Sequence, residues 1–376
     1  MLLNQEQELI RDAVRSFAKE QLWPNAARWD QERQFPHQAH RGLAALGAYG
    51  ICVPEEFGGA HLDYLTLALV LEEIAAGDGG TSTAISVTNC PVNAILMRYG
   101  SALQKKQWLT PLARGDMLGV FCLTEPHVGS DAAALKTTAT REGDAYVING
   151  VKQFITSGKN GHLAIVIAVT DKGAGKKGMS AFMVPTSSPG YQVARLEEKL
   201  GQHSSDTAQI NFDNCRIPAE NLIGEEGGGY RIALSSLEGG RIGIAAQSIG
   251  MARSAFECAL DYAKQRESFG QAIFKHQAVG FRLAECATQI EAARQLTWHA
   301  AALRDAGRPC LKEAAMAKLF ASEMAEQVCS VAIQTLGGYG YVKDFPVERI
   351  YRDVRVCQIY EGTSDVQKII IQRALA

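Results

Sequence analysis

A three-unit α+β fold is predicted by two changes in hydrophobic period and one change in helix length. Up to about residue 116 the apolar residues recur at helical spacing. From 117 to about 226 they alternate with period two, and from 227 onward long alanine- and leucine-rich segments return to helical spacing. The expectation is an N-terminal helical domain (1–116), a middle β-barrel or sandwich domain (117–226) and a C-terminal four-helix bundle domain (227–376).

In the first unit Ile10, Val14 and Phe17 share a helical face, and Leu67, Val70, Leu71 and Ile74 repeat the pattern. Gly50, Gly58-Gly59, Gly77, Gly79-Gly80 and Gly100 divide it into short elements. In the second, strands are expected at 119–123, 136–140, 145–148, 152–156, 163–169, 180–184 and 209–212. Asn149-Gly150 predicts a hairpin turn between two of them, because both central residues of such a turn need positive φ. In the third, 230–266, 275–306 and 311–336 are almost free of proline. Short loops at Phe269-Gly270, Gly307-Arg308-Pro309 and Gly337-Gly338 predict antiparallel packing. Their alanine-rich faces allow close approach of a second subunit, so a homo-oligomer is expected.

Composition narrows the function. A chain of 376 residues, 47% hydrophobic and 21% charged, has enough apolar surface for two or three packed cores and excludes disorder. A formal charge of −2 with no block of lysine and arginine excludes nucleic acid or an anionic membrane as the main partner. Nine cysteines without a Cys-x-x-Cys pair read as buried thiols in a reducing compartment, with neither a disulfide framework nor a zinc site. The histidines lack ligand spacing, so no metal is expected. The longest apolar run, 163–169, is too short to span a bilayer. Met1-Leu2-Leu3-Asn4 leads directly into an amphipathic pattern, which predicts no cleavable leader. The expected location is the cytoplasm, or the mitochondrial matrix for a mature fragment.

Three stretches carry candidate chemistry. Near the C-terminus, Ile359-Tyr360-Glu361-Gly362-Thr363-Ser364 places one carboxylate between an apolar pair and a turn that suits a helix start, with Thr363 or Ser364 as the cap. A carboxylate kept dry there has a raised pKa and can act as a base; the alternative is a solvated glutamate favoured by the helix dipole. Phe121-Cys122-Leu123-Thr124-Glu125-Pro126-His127-Val128-Gly129-Ser130-Asp131 is a strand ending in a turn where backbone amides can approach a phosphate or ring oxygen, or simply a structural turn. Lys152-Gln153-Phe154-Ile155-Thr156-Ser157-Gly158 offers an aromatic and a hydroxyl to a flat ring, or half-buried strand packing. Gly173-Ala174-Gly175-Lys176-Lys177-Gly178 matches a dinucleotide fingerprint, but a strand pattern follows where that motif needs a helix N-terminus, so no nicotinamide fold is expected.

Taken together and in order, 121–131, 149–156, Gly239-Gly240-Arg241, 265–270, Gln334 with Leu336-Gly337-Gly338 and Gly340, and 359–364 resemble the flavin-dependent acyl-CoA dehydrogenase family over essentially the whole chain. The resemblance implies FAD and a saturated acyl-CoA, with Glu361 removing the pro-R α-proton and the β-hydride leaving to flavin N5 to give a trans-2-enoyl-CoA. It implies flavin contacts at Phe121, Leu123, Thr124, Gly129, Ser130, Phe154, Thr156 and Thr363. Contacts to the FAD of a neighbouring subunit are implied at Arg266, Phe269, Gln277, Gln334, Gly337 and Gly338. Ser130, Glu238, Arg241, Tyr360 and Gly362 resemble substrate-binding positions. Phe154 stands where many relatives have tryptophan, and Asp365 where some have glutamine. Gly240 occupies the position at which some members carry the base, so this chain resembles the group with the base in Tyr-Glu-Gly-Thr. His127 is expected to be an exposed turn residue without a chemical role.

A homotetramer, transfer of electrons to an electron-transfer flavoprotein, and a place in fatty-acid β-oxidation or branched-chain amino-acid catabolism are further implications. A short-chain or short branched-chain substrate is expected, with the pocket lined near 81–91. The alternatives are a flavin-dependent acyl-CoA oxidase using O2 and a non-catalytic acyl-CoA-binding or scaffold protein.

Overall fold

The computed structural model describes residues 2–376, so Met1, with which the expected leaderless start opens, lies outside them. Helix α1 (Gln5–Phe17) begins on a capping box in which Asn4 accepts from the Gln7 amide at 2.8 Å and Gln7 returns the bond to Asn4 at 3.1 Å. After α2 (Trp23–Glu32) and α3 (His37–Ala45), Asp63 caps α4 (Tyr64–Gly77) and Asp78 caps α5 (Gly79–Val87). Leu67, Val70, Leu71 and Ile74 prove to be one face of an α4 that is buried nearly all round. The reason is that α4 lies between the other N-terminal helices and the bundle.

The middle unit is an eight-stranded sheet: β1 (Gly119–Cys122), β2 (Thr138–Glu142), β3 (Ala145–Thr156), β4 (Leu163–Val169), β5 (Met179–Pro185), β6 (Tyr191–Leu196), β7 (Thr207–Pro218) and β8 (Leu222–Ile223). The strands run in the order β6-β7-β3-β2-β4-β5-β8, with β1 parallel to β4. Strand β4 is apolar at every position because both its faces are covered. Leu163, Ile165 and Ile167 meet helical residues such as Leu109 and Leu112, while Ala164, Val166 and Ala168 meet Phe182, Val184 and Phe212.

Two strand expectations are corrected. Asn149-Gly150 is not a hairpin turn: β3 runs straight through it, with a register shift against β7 and Gly150 at φ 149°. The glycine's freedom is used for a bulge, and the hairpin lies at Gly143-Asp144, where Glu142 pairs with Ala145. Strand β6 was not expected, because it is an exposed edge with no buried face to impose alternation. The glycine-lysine loop is followed by strand β5, so no helix N-terminus faces it.

The C-terminal unit packs α6 (Gly229–Gln265), α7 (Gln277–Asp305) and α8 (Leu311–Leu336) as long neighbours, followed by α9 (Val347–Val354) and α10 (Ser364–Leu375), which lies on α8. Helix α6 is the spine of the molecule, touching β5, α4 and α8. It approaches α4 so closely that a Cβ on Gly250 would collide with the Glu72 carbonyl. All nine cysteines are free thiols. Among the described residues no helix is long and apolar enough to cross a membrane.

The turn after β1 is fastened from inside. Lys152 Nζ donates to the Leu123 carbonyl and to Glu125 Oε1, each at 2.9 Å. Glu125 also accepts from the amides of Lys136 (2.8 Å) and Thr137 (3.0 Å). Both side chains are buried. Lys152→Met leaves that carboxylate without its cation, and should lower stability by roughly 3–5 kcal/mol, read as a lower urea midpoint. A midpoint within error of the wild type would show that the pair does not anchor this turn.

Candidate active site

After α9 a short 3-10 turn (Arg355–Gln358) delivers the chain to Ile359 and Tyr360, and Thr363 then caps α10 by accepting from the Val366 amide at 3.3 Å. Between them the backbone makes a left-handed bend, with Glu361 at φ 54° and Gly362 at φ 91°. That conformation costs a residue with a side chain about 1–2 kcal/mol. Three hydrogen bonds hold it. Gln367 Nε2 donates to the Glu361 carbonyl (3.1 Å) and the Gly362 carbonyl (2.8 Å), and Lys318 Nζ donates to the same Gly362 carbonyl (2.8 Å). Tyr360 is moored separately, its hydroxyl donating to Gln247 Oε1 at 2.8 Å.

The bend turns the Glu361 side chain inward against α6. Its Oε2 is shut away from solvent and has no hydrogen-bond partner among the described residues. A Cβ built on Gly240 would sit 2.7 Å from that oxygen, so the glycine provides the space the carboxylate occupies. The wall that dries Glu361 is therefore α6, whereas Ile359, its apolar neighbour in sequence, is 54% exposed. Burial pushes the Glu361 pKa up to about 7, against the pull of Arg241 and Lys318. The Glu361 amide makes no hydrogen bond among the described residues. Arg241 is buried with Nε unpartnered, and burial lowers its pKa while Glu361 and Glu238 oppose the shift. Glu238 accepts from Cys310 Sγ at 2.5 Å and lies 3.8 Å from Arg304.

The other residues singled out in the sequence fall into two groups. On β1, Val120 and Cys122 pack in the sheet core, while Phe121 and, just past the strand, Leu123 are half-buried against the helical side. Thr124 follows, and its carbonyl accepts from the Gln153 amide at 2.9 Å, tying this end of β1 to β3. On β3, Phe154 is thrown outward by a bulge, at φ 58° and 63% exposed, and Thr156 is half-buried. Gly129 and Ser130 are exposed.

The second group sits at the far end of the bundle. Arg266, Gly337 and Gly338 line an open groove of about 610 Å³ with Tyr262, Thr335 and Leu336. Phe269 is 94% exposed, and Gln277 and Gln334 are also exposed. Gly240, beside Glu361, and Arg266 are separated by roughly 39 Å along α6 at about 1.5 Å rise per residue, so within one chain the groove at Arg266 lies far from the Glu361 bend. His127 is 41% exposed, with its ring 3.5 Å from Glu125. Thr363 commits its oxygen to the cap, and Asp365 is exposed.

These residues fit a flavin. An outward aromatic, half-buried strand residues and open space around Gly129 suit a ring and its chain, and at the far end of the bundle the Arg266 guanidinium, with no hydrogen bond or ion pair among the described residues, suits a pyrophosphate. Lys318, Lys152, Gln247 and Gln367 escaped the sequence reading. Each is a polar residue in a helix or strand pattern that only the tertiary fold closes over.

Comparison with known proteins agrees with this architecture. The N-terminal, middle and C-terminal domain families of acyl-CoA dehydrogenases match residues 4–116, 120–215 and 227–376. The chain is 46% identical over 369 residues to the short-chain specific acyl-CoA dehydrogenase of Rattus norvegicus mitochondria, covering 98% of this chain and 90% of that one. It superposes on butyryl-CoA dehydrogenase from Megasphaera elsdenii with a TM-score of 0.98 at 39% identity, covering 100% and 99% of the two chains. A glutaryl-CoA dehydrogenase from Mycobacterium smegmatis, solved in complex with FADH2, superposes with a TM-score of 0.94 at 31% identity, covering 100% and 95%. The chain belongs to the acyl-CoA dehydrogenase family, whose cofactor is FAD, and is an oxidoreductase of that class.

The raised pKa has a sign that stability can report. Folded Glu361 keeps its proton up to about pH 7, whereas an unfolded glutamate loses it near 4.5. The folded state therefore binds more protons in that window, and stability falls as pH rises through it, by about 3 kcal/mol at most. Glu361→Gln, neutral throughout, should match the wild type below pH 4.5 and exceed it above pH 7 at equal flavin content. Urea midpoints that show no such divergence would mean the carboxylate is not desolvated.

Proposed function

We propose that Glu361 is the base that takes the pro-R α-proton of a saturated acyl-CoA, in a reaction that yields the trans-2-enoyl-CoA, and that the acyl chain is short, straight or branched. The observation that carries this reading is a carboxylate oxygen buried against Gly240 with no hydrogen-bond partner among the described residues, a setting in which burial pushes the pKa up to about 7. A base near the working pH combines a usable charged fraction with enough basicity to accept a proton from carbon. FAD, when bound, supplies the acceptor for the β-hydride.

The chain's own groups do the rest. The uncommitted Glu361 amide is available to the thioester carbonyl, where charge builds as the α-proton leaves. The buried Arg241 guanidinium favours the charged form of the base. Phe121, Leu123, Thr124, Gly129, Ser130, Phe154, Thr156 and Thr363 are the proposed flavin contacts, and Ser130, Glu238, Arg241, Tyr360 and Gly362 the proposed substrate contacts.

The separation of the two residue groups supports an oligomer in which Arg266, Phe269, Gln277, Gln334, Gly337 and Gly338 serve a neighbouring subunit's FAD, with a homotetramer as the proposed form and an electron-transfer flavoprotein as the acceptor. The short-chain relative from rat and the butyryl-CoA dehydrogenase structure support the substrate class.

Glu361→Gln should retain its yellow flavin and lose anaerobic reduction by acyl-CoA by about 10²- to 10⁴-fold, while the wild-type reduction rate should fall on the acid side with a midpoint near pH 7. A variant that bleached at the wild-type rate would remove Glu361 from the reaction. Against a panel of acyl-CoA thioesters, butyryl-, isobutyryl- or 2-methylbutyryl-CoA should bleach the flavin faster than octanoyl- or palmitoyl-CoA. Palmitoyl-CoA as the fastest would overturn the short-chain assignment.

A further inference from the structure

Lys318 lies in the middle of α8 among alanines, and its side chain is fully buried. Its only hydrogen bond among the described residues runs to the Gly362 carbonyl, one residue beyond the proposed base. An ammonium with a single acceptor is an expensive thing to bury. A lysine used only to fill space would be replaced at less cost by methionine or leucine. What it touches is the left-handed bend that aims Glu361 at α6. Gln367 holds the same bend from α10, so the Gly362 carbonyl accepts from two side-chain donors, one on each helix.

The groups facing Lys318 come from four directions. They are Glu361 in the bend, Arg241 on α6, Cys357 in the turn before it, and Glu323 on its own helix. Glu361 and Glu323 are the carboxylates among them, and Glu361 is the one tied to the same bend.

Resting on the assignment of Glu361 as the base, we propose that Lys318 is a positioning residue for it: the buried ammonium pins the Glu361–Gly362 bend through the Gly362 carbonyl and favours the charged form of the neighbouring carboxylate. The direction of the electrostatics agrees. Burial lowers the lysine to about 8, with Cys357 first and Glu361 next pulling it back up. Reciprocally, Lys318 pulls Glu361 down against burial. Without the cation the carboxylate would take up its proton at higher pH, leaving less base at neutrality.

Two variants separate the parts of this role. Lys318→Gln removes the charge but keeps an N–H donor for the carbonyl; Lys318→Met removes both. Each is made as flavin-loaded full-length protein and compared with the wild type and Glu361→Gln by two readouts. One is the pH dependence of anaerobic flavin reduction by butyryl-CoA. The other is the infrared band of the protonated Glu361 carboxyl, identified by its loss in Glu361→Gln. In Lys318→Gln the acid midpoint and the infrared midpoint should both move up by about one pH unit, with the high-pH reduction rate within about threefold of the wild type. Lys318→Met should show the same shift together with a roughly 10- to 100-fold lower limiting rate.

A purely structural lysine would change flavin content or stability without moving either midpoint. Unmoved midpoints in whichever variant retains flavin would overturn the proposal, as would Lys318→Met and Lys318→Gln losing rate equally. If Glu361→Gln itself reduced flavin at the wild-type rate, the base assignment would fall separately, while the infrared shift would still report whether Lys318 acts on that carboxyl.

Discussion

The structure turns on one desolvated oxygen. Glu361 Oε2 is held against a helix with no hydrogen-bond partner, a position that destabilises its charged form and that the surrounding fold must offset. The offset is distributed. Arg241 supplies charge from α6, Lys318 and Gln367 fix the backbone from α8 and α10, and Tyr360 is moored to Gln247. The bend is local, but its restraints reach it from three helices. A chain without long helices crossing at this point would have no way to keep one acid both dry and accurately aimed.

The second organising feature is distance. The residues proposed to meet one cofactor lie partly on the middle sheet and partly at one end of the bundle, where Phe269, Gln277 and Gln334 are exposed and a groove opens at Arg266. Exposed aromatics and an unpaired guanidinium are poor features for an isolated surface and reasonable ones for a contact between copies. The stiffness of α6 and α8, which holds the Glu361 bend in one chain, would thus also serve to present groups to another.

Much of this was legible in the sequence, for identifiable reasons. The two changes of period follow the helical, β and helical order of the fold because burial imposes periodicity, and local hydrogen bonding narrowed the cap to Thr363 or Ser364, of which Thr363 fills the place. The glycine-lysine loop was correctly set aside because a strand pattern follows it. Asn149-Gly150 misled because the same freedom at φ serves a bulge as well as a turn, and only pairing with β7 distinguishes them. Strand β6 left no pattern because only Tyr191, at its start, packs on the core and the other five residues are exposed. Lys152 and Lys318 could not be found at all: a lysine in a strand or an alanine-rich helix looks like a solvated residue until distant segments close over it. The dryness of Glu361 was expected from Ile359 and Tyr360, but comes from Gly240, far away in sequence and adjacent in space.

Gly240 has a wider meaning. A Cβ at that position would sit 2.7 Å from Glu361 Oε2, so the space beside it takes either a side chain from the spine helix or the carboxylate from the tail, and not both. An acid introduced at 240 would therefore have to displace the one at 361, and the bare α-carbon is what reserves the place.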